Sequence, residues 1–135
     1  MTPRVGQAVL ALSGAGFPLT QAIIRRGGRR GALASAGICA GLLVRDAALV
    51  ASGTPARLRP GPARLLWLEL AVAGVAVAAG LPAAFDDEAA RRAAAPRPDG
   101  PELVRRAAVA LLFGLHTLRF RIYLQPDRAR KPATG

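Results

Sequence analysis

Cysteine and histidine occur once each, as Cys39 and His116, lysine occurs only as Lys131, and aromatic residues make up just 4% of the chain. A single cysteine excludes an internal disulfide framework, and with one histidine beside it no Cys/His set reaches the ligand count of a structural zinc site. One Trp, one Tyr and four Phe offer no stacking platform for nucleic-acid bases. Catalytic signatures are missing as well. Gly14-Ala15-Gly16 lacks the third glycine of a dinucleotide fingerprint and has no strand before it, and no Gly-Lys-Ser/Thr of the Walker type occurs. No nucleophile with a partner base stands out. The expectation is a protein that is not an enzyme, with no cofactor, no metal and no nucleic-acid partner.

Acidic residues are scarce too, with 8 Asp+Glu against 19 Lys+Arg and a formal charge of +11. Together with 52% hydrophobic residues, this excludes an acidic or low-hydrophobicity disordered chain. What the 135 residues do have is alanine at 30 positions and glycine at 15. Such small side chains would fill a water-soluble core poorly.

The charges are unevenly placed. Residues 5–24 carry none, and Arg25, Arg26, Arg29 and Arg30 follow at once. Twenty residues of helix reach about 30 Å, the thickness of a bilayer's hydrocarbon core. A second stretch, 31–52, is interrupted only by Arg45 and Asp46, and a third, 65–85, only by Glu69 before the acidic group Asp86, Asp87 and Glu88. Proline and glycine mark the connectors at Thr54-Pro55, Pro60-Gly61-Pro62 and from Pro96 to Pro101. Pro18 is expected to kink the first span after Phe17. A cleaved leader ending near Ser13-Gly14-Ala15 competes for the first stretch, but the uncharged run continues to an arginine cluster typical of an anchor's flank.

The fourth segment, 103–124, differs. Its uncharged part is bracketed by Arg105, Arg106, Arg119 and Arg121. On a helix Ala107, Leu111, Leu115, Leu118 and Ile122 share one side while Arg105, His116 and Arg119 share the other. This suits an amphipathic helix lying in the interface or against partner helices. Charge bookkeeping favours that placement. Four spans divide the basic residues nine against nine, whereas three spans divide them fourteen against four, with Arg45 inside a span. The expected architecture is an all-α polytopic membrane domain over 1–124, with three transmembrane helices plus an amphipathic, or fourth transmembrane, helix. A basic disordered tail over 125–135 and a cytoplasmic C-terminus complete it. The arginine and alanine bias points to a high-GC bacterium and hence to its inner membrane.

Several residues are candidates for a role. Arg45 and Asp46 lie about 21 to 23 Å into the second span, and Glu69 about 6 Å into the antiparallel third, which sets them at comparable depth. An ionisable residue costs about 2.5 to 3.5 kcal/mol at a helix centre in the membrane, so such groups pair or line polar cavities. An Arg45–Glu69 pair fixing helix register is the plain expectation. The alternative is a polar vestibule for a small solute or ion, with Gln7 at similar depth on the first span. Gly37 and Gly41 form a GxxxG pattern, and Gly74 with Ala78 repeats the small-residue spacing, suiting close helix packing or self-association. Arg25, Arg26, Arg29 and Arg30 suit an orientation signal or contact with anionic lipid head groups, each worth about 1 kcal/mol. His116 is expected to be an interfacial polar residue and Cys39 an inert small hydrophobe. The functional expectation is an accessory or interaction subunit partnered by the lipid bilayer and by further copies of itself or another membrane protein. A solute or ion pathway is the rival.

Overall fold

A computed structural model describes residues 3–123 and Lys131. The rest of the expected tail, 125–135, lies outside the described residues. The elements are α1 (Pro3–Gly14), α2 (Gly16–Ala51), α3 (Thr54–Arg57), α4 (Pro60–Phe85), α5 (Asp87–Ala94) and α6 (Gly100–Tyr123), with no strand among the described residues. The fold class is therefore all-α. Two of these helices, α2 and α4, are long and apolar enough to cross a membrane.

Helix α2 is in fact two arms. At Gly28 the backbone takes φ 58° and ψ −129°, a conformation outside the helical region that glycine adopts without a Cβ penalty. The chain reverses there. A Cβ on Gly31 would lie 2.1 Å from the Ile23 carbonyl oxygen, and Ile24 packs with Ala32, so arm 16–27 runs back along arm 29–51. The Arg25–Arg30 loop read from the sequence is thus the tip of this hairpin. Pro18 acts two residues earlier than expected. Having no N–H, it leaves the Gly14 carbonyl without its i+4 donor, and the discontinuity falls at Ala15, between α1 and α2. Hydrogen bonds Ala15 N–Ala11 O and Leu19 N–Ala15 O, both 3.0 Å, carry the helix across.

The prolines of the next connector do not break a helix but open one. Arg59 caps α4, Pro60 and Pro62 occupy its first turn where no N–H is needed, and the helix starts five residues before the expected span. The acidic group after Phe85 is likewise structured. Asp86 Oδ2 accepts from Ala89 N at 3.0 Å, Asp87 and Glu88 fill the first turn of α5, and Arg91 and Arg92 fill its last, matching the helix dipole. In the sequence this stretch reads only as the acidic end of the third span. Its alanine face, Ala89, Ala90 and Ala93, is buried against Ile24, Ala32 and Ala83.

The long segments pack side by side in an antiparallel ring. Ala32 shares a cluster with Ala83, Cys39 with Ala73 and Ala76, and Val50 packs against the one holding Leu66, so the second arm of α2 runs against α4. Ala108 and Val109 of α6 belong to the same cluster as Ala76, and Gly16 lies against Phe113, which closes the ring back to the first arm. The interior is built mainly from alanine, which lets the helix backbones approach. Many large apolar side chains point outward, among them Leu33, Val44, Trp67, Val75, Phe85 and Leu111, while Ile24, Leu66, Val109, Leu112 and Phe113 are inside.

The orientation of α6 departs most from the expectation. Its charged side faces in: Glu102, Arg105, His116 and Arg119 are buried, while Leu103, Val104, Leu111 and Leu118 are exposed. Leu115 is the exception on the apolar side and is buried. The helix is two-faced as read from the sequence, but it packs lengthwise against α4 by its polar face.

Candidate functional site

A buried ionic network joins the second arm of α2, α4 and α6. Arg119 Nη2 donates to Asp46 Oδ1 at 2.7 Å, and Arg119 Nε donates to Glu69 Oε2. Glu69 Oε1 lies 3.1 Å from His116 Nδ1. Asp46 and Glu69 are 0% exposed, Arg119 1% and His116 8%. His116 and Arg119 are one helical turn apart on α6, so both reach the same carboxylate from one face. Asp46 Oδ2 is buried without a hydrogen-bond partner among the described residues. One arginine and two carboxylates, counted as ions, sum to −1.

The sequence places Asp46 and Glu69 at one depth, and the structure brings them to one guanidinium. It excludes two members of the expected cluster. Arg45 is exposed and forms no pair with Glu69, because neighbours on a helix point about 100° apart and Asp46 takes the inward direction. Gln7 is exposed on α1. Arg119 and His116 take their places. Their shared side with Arg105 is visible in the sequence, but helical spacing does not say whether that side meets protein or surroundings.

Toward the opposite end a second network ties α6 to the first arm and to α5. Arg105 Nη2 donates to Gln21 Oε1 at 2.7 Å and its Nε to Glu102 Oε1 at 2.7 Å. Arg106 Nε also donates to Glu102 at 3.0 Å, and its Nη2 donates to the Ala93 carbonyl at 3.2 Å and to that of Ala95, at the C-terminal end of α5. Gln21 Nε2 reaches the same Ala93 carbonyl at 2.8 Å. These bonds satisfy carbonyls that the helix end leaves open.

The other sequence candidates fall outside both networks. Arg25, Arg26, Arg29 and Arg30 are exposed around the hairpin tip, where Arg29 meets Asp87 at 3.5 Å. The expected packing glycines do no packing within the chain. A Cβ on Gly37, Gly41 or Gly74 would meet nothing within 4 Å, and Ala78 is exposed. Close approach is made instead by Gly31 and by Gly16, whose Cβ would sit 2.2 Å from the Phe113 ring. Small-residue spacing marks where helices are able to approach, and the bundle uses other positions. Cys39 is buried in the alanine interior, as a small hydrophobe would be.

Beside the first network lies a cavity of about 340 Å³ between the two arms of α2 and α6, lined by Gly16, Leu19, Thr20, Ile38, Gly41, Leu42, Phe113 and His116. Its walls are largely apolar. Among the described residues no group of His, Cys, Asp and Glu is arranged to hold a metal ion. Compared with known proteins, the chain matches no family model, no curated protein and no solved structure.

Proposed function

We propose that the chain is a multi-pass protein of the bacterial inner membrane, acting as a non-enzymatic accessory or interaction subunit. The observation that carries this is the inverted distribution of polarity. Asp46, Glu69, Arg105 and Arg119 are inside, and Leu33, Val44, Val75, Phe85 and Leu118 are outside. In water this arrangement buries charge and exposes apolar surface, both unfavourable. In a bilayer it is the favourable one, since ionisable residues there turn to the bundle interior and pair. Lengths agree. Helices α4 and α6, at 26 and 24 residues, reach about 39 and 36 Å against a hydrocarbon core of about 30 Å.

The packing of α6 along α4 favours a fourth crossing over an interfacial helix. The charge count that favoured a cytoplasmic C-terminus required α6 outside the bilayer, and four crossings put both termini on one side. Gly37, Gly41 and Ala78 are exposed, so the small-residue surface is open to a helix of another subunit. The pathway alternative keeps Asp46 and Glu69 but loses Arg45, and both carboxylates are bonded to Arg119.

Alkaline carbonate washing of membranes tests the membrane assignment: the protein stays in the pellet, and its release without detergent would refute it. Impermeant maleimide labelling of intact cells tests the crossing of α6, using Arg97→Cys in the exposed α5–α6 connector and Thr134→Cys in the tail. One position labels and the other does not. Equal labelling would place both on one side and remove α6 from the bilayer.

A further inference from the structure

We infer that the cleft between the tip of the α2 hairpin and the end of α4 binds an anionic phospholipid of the bilayer, its phosphate on Arg29 and Arg30 and its chains along Leu33 and Phe85. The supply of such a lipid rests on the membrane reading above. The cleft has a volume of about 640 Å³, within the roughly 300 to 1,000 Å³ usual for small-molecule sites. Its walls divide into a charged part, Arg29, Arg30 and Asp87, and an apolar part, Leu33, Ala84 and Phe85. Leu33 follows Arg29 and Arg30 by four and three residues, so it lies one turn along α2 on the same face. Phe85 ends α4 and Asp87 opens α5, which repeats the order of apolar and charged residues on the opposite wall. The uncharged runs 31–44 and 70–85 both stop at this cleft, one beginning below Arg30 and the other ending at Phe85. Charge and apolar surface therefore meet here at the level where hydrocarbon gives way to head groups.

The charges of the cleft are only partly paired. Arg29 Nη1 lies 3.5 Å from Asp87 Oδ1, an exposed contact of little strength. Arg30 is exposed, and no hydrogen bond or ion pair of its guanidinium occurs among the described residues. The neighbouring carboxylates are engaged elsewhere, Asp86 with Ala89 N and Glu88 with Arg92. Two arginines and one aspartate leave the cleft at +1, which the single charge of a phosphodiester neutralises. Guanidinium suits that group, since its paired N–H donors match two phosphate oxygens. The apolar wall decides between kinds of anion. Leu33 and Phe85 are 54% and 71% exposed. Inorganic phosphate would meet the arginines and leave both side chains uncovered, whereas a phospholipid covers them with its chains. A zwitterionic phospholipid brings no net charge to set against the +1.

Native mass spectrometry of the full chain, released from detergent after titration with lipid, reads the affinity. Dioleoyl phosphatidylglycerol binds saturably, at least about tenfold more tightly than dioleoyl phosphatidylethanolamine, whose ammonium could reach Asp87. Glycerophosphoglycerol, the same head group without chains, does not displace it at about a hundredfold excess. Arg29→Gln with Arg30→Gln lowers the affinity at least about tenfold. Arg25→Gln with Arg26→Gln takes the same charge from the same tip outside the cleft and changes it less than about threefold. All four arginines are exposed, so helicity and elution volume stay unchanged in both variants. Equal affinity for the two lipids, displacement by the chainless head group, full binding by the Arg29/Arg30 variant, or equal losses in the two variants would each overturn the assignment. Carbonate washing scores membrane residence separately, so unselective lipid binding by a protein that stays in the pellet refutes this site alone.

Discussion

Replacing Arg119 by methionine removes the one cation that touches both buried carboxylates while keeping an unbranched apolar stem. At the 2.7 Å contact with Asp46, a unit charge pair gains about 6 kcal/mol gross at an effective dielectric of about 20. Desolvation of each ion offsets several kcal/mol of this, so the intact pair is worth little net. Deleting one partner is another matter. Asp46 and Glu69 are then left at 0% exposure without a counter-charge from arginine, and losses of about 3 to 5 kcal/mol are usual for such a change. The triple variant Arg119→Met, Asp46→Asn, Glu69→Gln removes the stranded charges, and its stability is expected within about 1 kcal/mol of the parent, since neutral replacement of buried ion pairs is often near neutral. Arg45→Met is the control. It changes an exposed charge outside the network and is expected to shift stability by no more than about 0.5 kcal/mol. Unfolding in mixed micelles on titration with dodecyl sulfate, followed by circular dichroism, measures all three. An Arg119→Met loss under about 1 kcal/mol, or an Arg45→Met loss equal to it, would refute the network as drawn.

Gly31→Ala puts a Cβ 2.1 Å from a backbone oxygen that has no room to move, and it should lower the unfolding midpoint by the equivalent of about 1 to 3 kcal/mol or prevent folding. Gly37→Ala meets nothing and should be neutral or stabilising by up to about 1 kcal/mol, so equal losses at the two positions in thermal melts would contradict the packing described. Gly28→Val forces a β-branched residue to φ 58° and ψ −129° and should cost about 1 to 3 kcal/mol in the same assay. Asp87→Asn breaks an exposed pair with Arg29 and should cost less than about 1 kcal/mol, an effect abolished by high salt.

The legible part of this protein was set by local composition. Apolar runs bounded by arginines, prolines or the acidic group at 86–88 mark the helices, because a chain with so few bulky side chains buries surface best as close helices. Gly28 sits between two arginine pairs, where the hairpin turns. The equal depth of Asp46 and Glu69 also follows from counting rise along two antiparallel helices. Helix α5 escaped because its alanines have no periodic contrast, and its cap at Asp86 looked like the end of the previous element.

Which groups meet was decided by the tertiary structure alone. Periodicity groups Arg105, His116 and Arg119 on one side of α6, yet the rule of polar outside and apolar inside sends that side the wrong way. Here many large apolar side chains face outward and the interior must satisfy its own charges, so the polar side turns in and Arg119 displaces Arg45 as partner of Glu69. Sequence spacing fixes the relative direction of residues on one helix. The direction in which that helix faces is set by its neighbours and its solvent.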